Sequence, residues 1–148
     1  MLRIKNCKDN ERGSTLVEFA IGVTVFVMAL FAVLEFGRAL WVHNALADAA
    51  RRGARYATLH PPSDIAQVKN VVIYGDPAGG GQPMLENLSA TNVEVNYNGF
   101  GLNEGTVSVS ITNYQFQFVI PIVGTTITMP AYKTTLTGEC AGYIPDNV

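Results

Sequence analysis

Between Ser14 and Val42 every residue is apolar or small except Thr15, Glu18, Thr24, Glu35 and Arg38. As a helix at ~1.5 Å per residue this stretch reaches about 43 Å, enough to cross a bilayer. The stretch from Glu18 to Glu35 alone gives roughly 25 Å, so Glu35 belongs near the far interface. There Arg38, three residues on, can pair with it. Glu18 is different: no base stands three or four residues from it, and the nearest along the chain is Arg12. An ionised carboxylate inside a membrane is costly without a partner, so Glu18 is a candidate functional residue.

After this segment the 148-residue chain has room for one small soluble domain. The net charge of -2 says little, but its distribution is uneven. The first thirteen residues carry Arg3, Lys5, Lys8 and Arg12 against Asp9 and Glu11, which favours a cytoplasmic N-terminus. From Pro61 onward seven acids face only Lys69 and Lys133, a balance that argues against a nucleic-acid partner. Cys7 and Cys140 lie near opposite ends and form neither a metal-ligand spacing nor a disulfide framework.

A basic head, an apolar run and Ala45-Leu46-Ala47 together mimic a secretory signal peptide. The fit is poor, because Ala47 follows the apolar run by a dozen residues that include Glu35 and Arg38. A plain uncleaved anchor explains everything but the glycine and the acid at their separation. Gly13 closing a short basic head, the small Ser14 after it, and Glu18 at the fifth position beyond the glycine resemble the processing site of type IV pilins. The pair Glu18-Phe19 is similar to the Flp, or tight-adherence, variant. Leu16-Val17-Glu18-Phe19-Ala20 and Ala49-Ala50-Arg51-Arg52-Gly53-Ala54-Arg55-Tyr56-Ala57 resemble TadE-like pseudopilins over residues 12–60. The resemblance implies cleavage between Gly13 and Ser14 by an aspartyl prepilin peptidase, with Glu18 and Phe19 serving subunit assembly. It further implies a bacterial inner-membrane protein with other pilin subunits and the pilus assembly machinery as partners.

The residues themselves make chemical sense of such a site. Cleavage after Gly13 creates an α-amine on Ser14, a group that ordinarily titrates near pH ~8 and so carries a charge at neutral pH. Among parallel helices, Glu18 of one chain can lie beside that amine of a neighbour displaced by one turn, so that two expensive charges satisfy each other. Gly13, lacking Cβ, lets an extended backbone enter a narrow peptidase cleft. The plainer reading makes Gly13 the residue before a helix N-cap at Ser14, with Glu18 favoured near the positive helix end.

Beyond the apolar run the helix is expected to continue. Phe36, Leu40, His43, Ala47, Ala50, Ala54 and Ala57 recur at steps of four and three and mark an apolar face. Asn44, Asp48, Arg51, Arg52 and Arg55 form a polar one, with Asp48 spaced to pair with Arg51 or Arg52. His60-Pro61-Pro62 ends the helix, which from Ser14 to Leu59 measures roughly 69 Å. Ser63 and Asp64 can cap a short helix through Val72, and the glycine-rich stretch 75–83 reads as a surface loop, since no Lys-Ser/Thr pair follows it. Strands are expected at Asn92–Asn96, Thr106–Thr112, Gln115–Ile120, Thr125–Met129 and Tyr132–Thr137. Val107, Val109, Ile111, Phe116, Phe118 and Ile120 would share one core, and a hairpin is expected around Asn113-Tyr114. Pro121, Gly124 and Pro130 suit edges and turns.

The fold class is therefore α+β: a long N-terminal transmembrane helix continuing into a small antiparallel β-sheet domain, the lollipop outline of a pilin. The expected organisation is a leader over 1–13, the helix over 14–60 and an exported domain over 61–148. His43 and His60 lack a neighbouring acid and nucleophile, so no catalytic residue is assigned. Asp76, Glu86, Glu94, Glu104 and Glu139 form no ligand grouping, so neither metal nor cofactor is expected. Cys140, once the head is removed, is either a buried thiol or one half of an intermolecular disulfide. A membrane-anchored binding or sensor module is the competing class, with an anchored hydrolase behind it.

Overall fold

The computed structural model describes residues 9–99, 105–119 and 126–138, with side chains from Gly13 onward. Its elements are helix α1 (Asp9–Leu59), a 3-10 turn (Pro62–Asp64), helix α2 (Ile65–Tyr74) and five strands, β1 (Val93–Asn98), β2 (Thr106–Ile111), β3 (Gln115–Gln117), β4 (Thr126–Thr128) and β5 (Tyr132–Thr137). The α+β class is as expected. By contacts the chain divides into two units, residues 1–38 and 39–148.

In the first unit α1 is one continuous apolar helix with no core of its own. Leu16, Phe19, Ile21, Phe26, Phe31 and Leu34 are all exposed. A helix apolar around its whole circumference is stable only in an apolar surrounding, where its internal hydrogen bonds also satisfy the backbone. Apart from Glu18, the described charged side chains of this unit are handled locally, and so is Thr24. Thr24 Oγ1 donates to the Ala20 carbonyl at 2.8 Å, and the Arg38 guanidinium meets Glu35 Oε2 at 3.1 Å, the pairing their spacing predicts. The helix begins at Asp9 rather than Ser14, so Ser14 is an interior helical residue and not an N-cap.

In the second unit the distal part of α1 buries Val42, Leu46, Ala49, Ala50, Ala54 and Ala57 against α2 and the sheet residues of one hydrophobic core. This corrects the expected face. Ala50, Ala54 and Ala57 belong to it, but Phe36 is 66% and Leu40 48% exposed, and His43 is exposed too. Alanines surround this part of the helix, so small side chains alone do not distinguish its faces. Val42 and Leu46, the larger apolar groups, turn inward and set the direction. At Gly53 the helix backbone comes so close to α2 that a Cβ would run into the Val72 side chain and stand 3.4 Å from Val109 Cγ1. The polar face is as predicted: Asn44, Asp48, Arg51, Arg52 and Arg55 are exposed, and Arg51 binds Asp48 at 3.1 Å.

Proline ends α1 at Leu59 as expected. The last carbonyls find a donor in Tyr97 of β1, whose hydroxyl lies 3.4 Å from the Ala57 oxygen and 3.3 Å from that of His60. Ser63 and Asp64 do not cap α2 through their side chains; Ser63 Oγ instead bonds Asp64 Oδ1 at 3.0 Å within the 3-10 turn. Gly75 closes α2 in the left-handed region at φ 76°, its N–H on the Val71 carbonyl. The following loop is exposed over most of its length.

β2 is the centre of an antiparallel sheet ordered β1-β2-β5, with Val95 opposite Val109 and Ile111 opposite Tyr132. Its alternation is as read: Val107, Val109 and Ile111 are buried, while Ser108 and Ser110 are only half-buried. The expected Asn113-Tyr114 hairpin is absent, because β3 pairs with β4 in a separate two-stranded sheet. Asn113 adopts φ 56°, and Asn92 Nδ2 donates to the carbonyls of Thr112 and Asn113 at 3.1 Å each. That side-chain bridge diverts the chain out of the first sheet instead of folding it back along β2. Phe116 nevertheless enters the common core and meets Phe118 edge to face at 5.1 Å. Ile120, Pro121, Gly124 and Thr125 lie outside the described residues.

Two outcomes follow from this packing. Replacing Gly53 with Ala forces the helix off Val72 and should lower unfolding stability by about 1–3 kcal/mol; Gly37→Ala, with open space around it, should not. Thermal unfolding of the detergent-solubilised chain distinguishes them. Burial raises the pKa of Tyr97, helped by the Asp64 charge, and burial alone raises that of Tyr132. The folded state then holds these protons more tightly than the unfolded one, so stability should be level below pH 10 and fall as the pH rises above it. A pH series of melting temperatures checks the sign.

Candidate functional site

Gly13, Ser14, Glu18 and Phe19 all fall in the exposed first stretch of α1. Helical geometry puts Ser14 and Glu18, four residues apart, on one face with a rise of about 6 Å. Gly13 and Phe19 lie off that face. The structure thus brings Ser14 and Glu18 into one column and gathers none of the four into a cavity. Nothing comes within 4 Å of a Cβ built on Gly13, and Phe19 is 68% exposed. Among the described residues Glu18 forms no ion pair; the described pairs are Glu35–Arg38 and Asp48–Arg51.

The Gly13-Ser14 peptide is helical, whereas a peptidase takes its substrate extended. Proline apart, glycine is the residue at which unwinding a helix costs least, by about 1 kcal/mol relative to alanine.

The two histidines have structural partners. His43 Nδ1 is 2.7 Å from the Tyr132 hydroxyl, with the rings edge to face, and so links α1 to β5. His60 stacks on Tyr56 at 3.8 Å, and its Nδ1 lies 2.9 Å from the Tyr56 carbonyl. Asp76, Glu86 and Glu94 are exposed and scattered, and among the described residues no three His, Cys, Asp or Glu side chains group as a metal site. Glu104, Glu139, Cys7 and Cys140 lie outside the described residues.

What sequence reasoning missed is a groove beside the polar face of α1, about 300 Å³ in volume, between Trp41, Arg52 and the turn at Met84–Leu88. Its residues are separated by up to forty-odd positions and share no motif. Only the exposed Trp41 could have pointed to it.

A family model described as TadE-like protein matches residues 13–55, under a third of the chain. Residues 13–55 are similar to that family. No curated protein and no solved structure matches the chain. The TadE-like segment opens on Gly13 and takes in Ser14, Glu18 and Phe19. It continues through the helix long and apolar enough to cross a membrane and closes on Arg55 of the polar face. The distal α+β unit, from the end of α1 onward, is outside the match.

Proposed function

We propose that this chain is a minor pilin or pseudopilin of a tight-adherence pilus system, inserted in the bacterial inner membrane with its N-terminus in the cytoplasm. The observation that carries the reading is the coincidence of the TadE-like match with a helix whose first half is apolar and exposed, long and apolar enough to cross a membrane. Such a surface requires lipid or neighbouring helices. Residues 1–13 are the leader, removed by a prepilin peptidase between Gly13 and Ser14. Residues 14–60 are the assembly helix, and residues 61–148 make up the exported domain.

Cleavage turns Ser14 into a cation at the membrane face. Glu18, one turn deeper, is then the anion that a neighbouring subunit's terminus can approach, and the pairing sets the stagger between subunits. Phe19 beside it supplies apolar surface to the same contact. Other pilin subunits, the peptidase and the assembly machinery are the partners. No step requires a cofactor, a metal or a nucleic acid.

Mass spectrometry of the membrane-extracted protein should find a mature N-terminus at Ser14. Recovery of Met1 as the terminus would favour an uncleaved anchored module, and a terminus at Asp48 a signal peptide. Glu18→Gln should leave membrane insertion and cleavage unchanged while lowering pilus output about tenfold, since removing one partner of a desolvated charge pair costs well over 1.4 kcal/mol. Unchanged output of intact pili, counted by electron microscopy, contradicts the charge-pairing role.

A further inference from the structure

We infer that the groove beside the polar face of α1 receives Trp41 from the same helix of a second copy of this chain. The floor of the groove is apolar, formed by Ala45, Ala49, Val72, Leu85 and Leu88. One rim is the ridge of α1 carrying Trp41, Asn44, Asp48 and Arg52. The other is the turn that begins at Met84. Trp41 is 61% and Met84 50% exposed, so both rims of the groove present bare apolar surface.

Asp48 on the helix rim is paired with Arg51, which leaves that ridge a surplus of base, while the turn across the groove carries an acid beside the lining Leu85. Along the helix ridge run Arg51, Arg52 and Arg55, and only Arg51 has an ion pair among the described residues. Among the described residues Arg52 forms no ion pair; it donates to the Met84 sulfur at 3.2 Å, a weak acceptor. Opposite it the turn from Met84 to Leu88 carries Glu86 and no base. Glu86 is exposed between the buried Leu85 and Leu88, and its backbone carbonyl is pinned at 2.7 Å by the Tyr114 hydroxyl. The turn carrying the acid is therefore held in place.

A two-fold axis parallel to α1 brings the basic ridge of each copy to the acidic rim of the other, so Trp41 enters the partner's apolar groove and Arg52 meets its Glu86. Both contacts form twice, as a self-complementary interface requires. The parallel orientation rests on the membrane reading proposed above: two copies anchored by the same N-terminal segment present equivalent residues at equal height. The charge pairing itself does not depend on cleavage at Gly13.

The test uses two differently tagged full-length chains co-expressed and extracted from membranes in mild detergent at low salt. Wild-type chains should co-purify. Arg52→Glu in both chains, or Glu86→Arg in both chains, should reduce co-purification about tenfold by placing like charges opposite each other. An R52E chain mixed with an E86R chain should recover it, because both contacts again pair opposite charges. Recovery also shows that each variant is folded. Wild-type chains that fail to co-purify, single reversals without effect, or a mixture that fails to recover would each overturn the inference. A chain found unclipped at Ser14 would sink the processing proposal and leave this measurement unaffected.

Discussion

Glu18 is the constraint on which the account of the helix depends. Every other charged side chain described along α1 has a local answer. Glu35 takes Arg38, Asp48 takes Arg51, and Arg52 and Arg55 face outward. Glu18 stands on a bare apolar helix, in the column of Ser14 and four residues from it. In water such a carboxylate asks for nothing; in a low-dielectric layer it must be neutralised or paired. Under the proposed topology the pairing group is made by processing, so the charge becomes tolerable when the chain is ready to assemble. Folding of the distal unit then has no need of the pair, and association of the helices does.

That distal unit solves a different problem with small residues. Ala49, Ala50, Gly53, Ala54 and Ala57 let α1 lie close against α2 and β2, with no room for a Cβ at Gly53. Close approach removes large areas of Val72, Val109 and Ile111 from water at the cost of little side-chain entropy. Two phenols then tie the helix at separate points. Tyr132 meets His43, and Tyr97 meets the last carbonyls before the proline pair. The same helix is therefore bare in its first half and a core element in its second.

Strong local signals made much of this fold legible. β5 runs over Tyr132–Thr137 as read, and the buried Val107, Val109 and Ile111 follow the period of two. Proline placed the end of α1 correctly. The errors arose where local signals were symmetrical or overridden. Alanines on several sides of the distal helix hid which face was inward until Val42 and Leu46 decided it. At Asn113 a turn-forming residue suggested a hairpin, but the Asn92 side chain, twenty-one positions away, holds the turn so that β3 joins β4. The candidate site was legible as a pattern, Gly13-Ser14 followed by Glu18-Phe19, because its spacing is contiguous. The groove of Trp41, Val72 and Leu88 was not, since only the packing of α1 against α2 and the 84–88 turn brings those residues together.

The most direct test of the charge pair is a zero-length carbodiimide crosslink in isolated native membranes, read by tandem mass spectrometry. Charge pairing predicts an amide joining the Ser14 α-amine of one chain to the Glu18 carboxylate of another, recovered in a species of twice the mature mass. A Glu18 carboxylate that stays unlinked, while other carboxylates of the same sample are joined to amines, would contradict it.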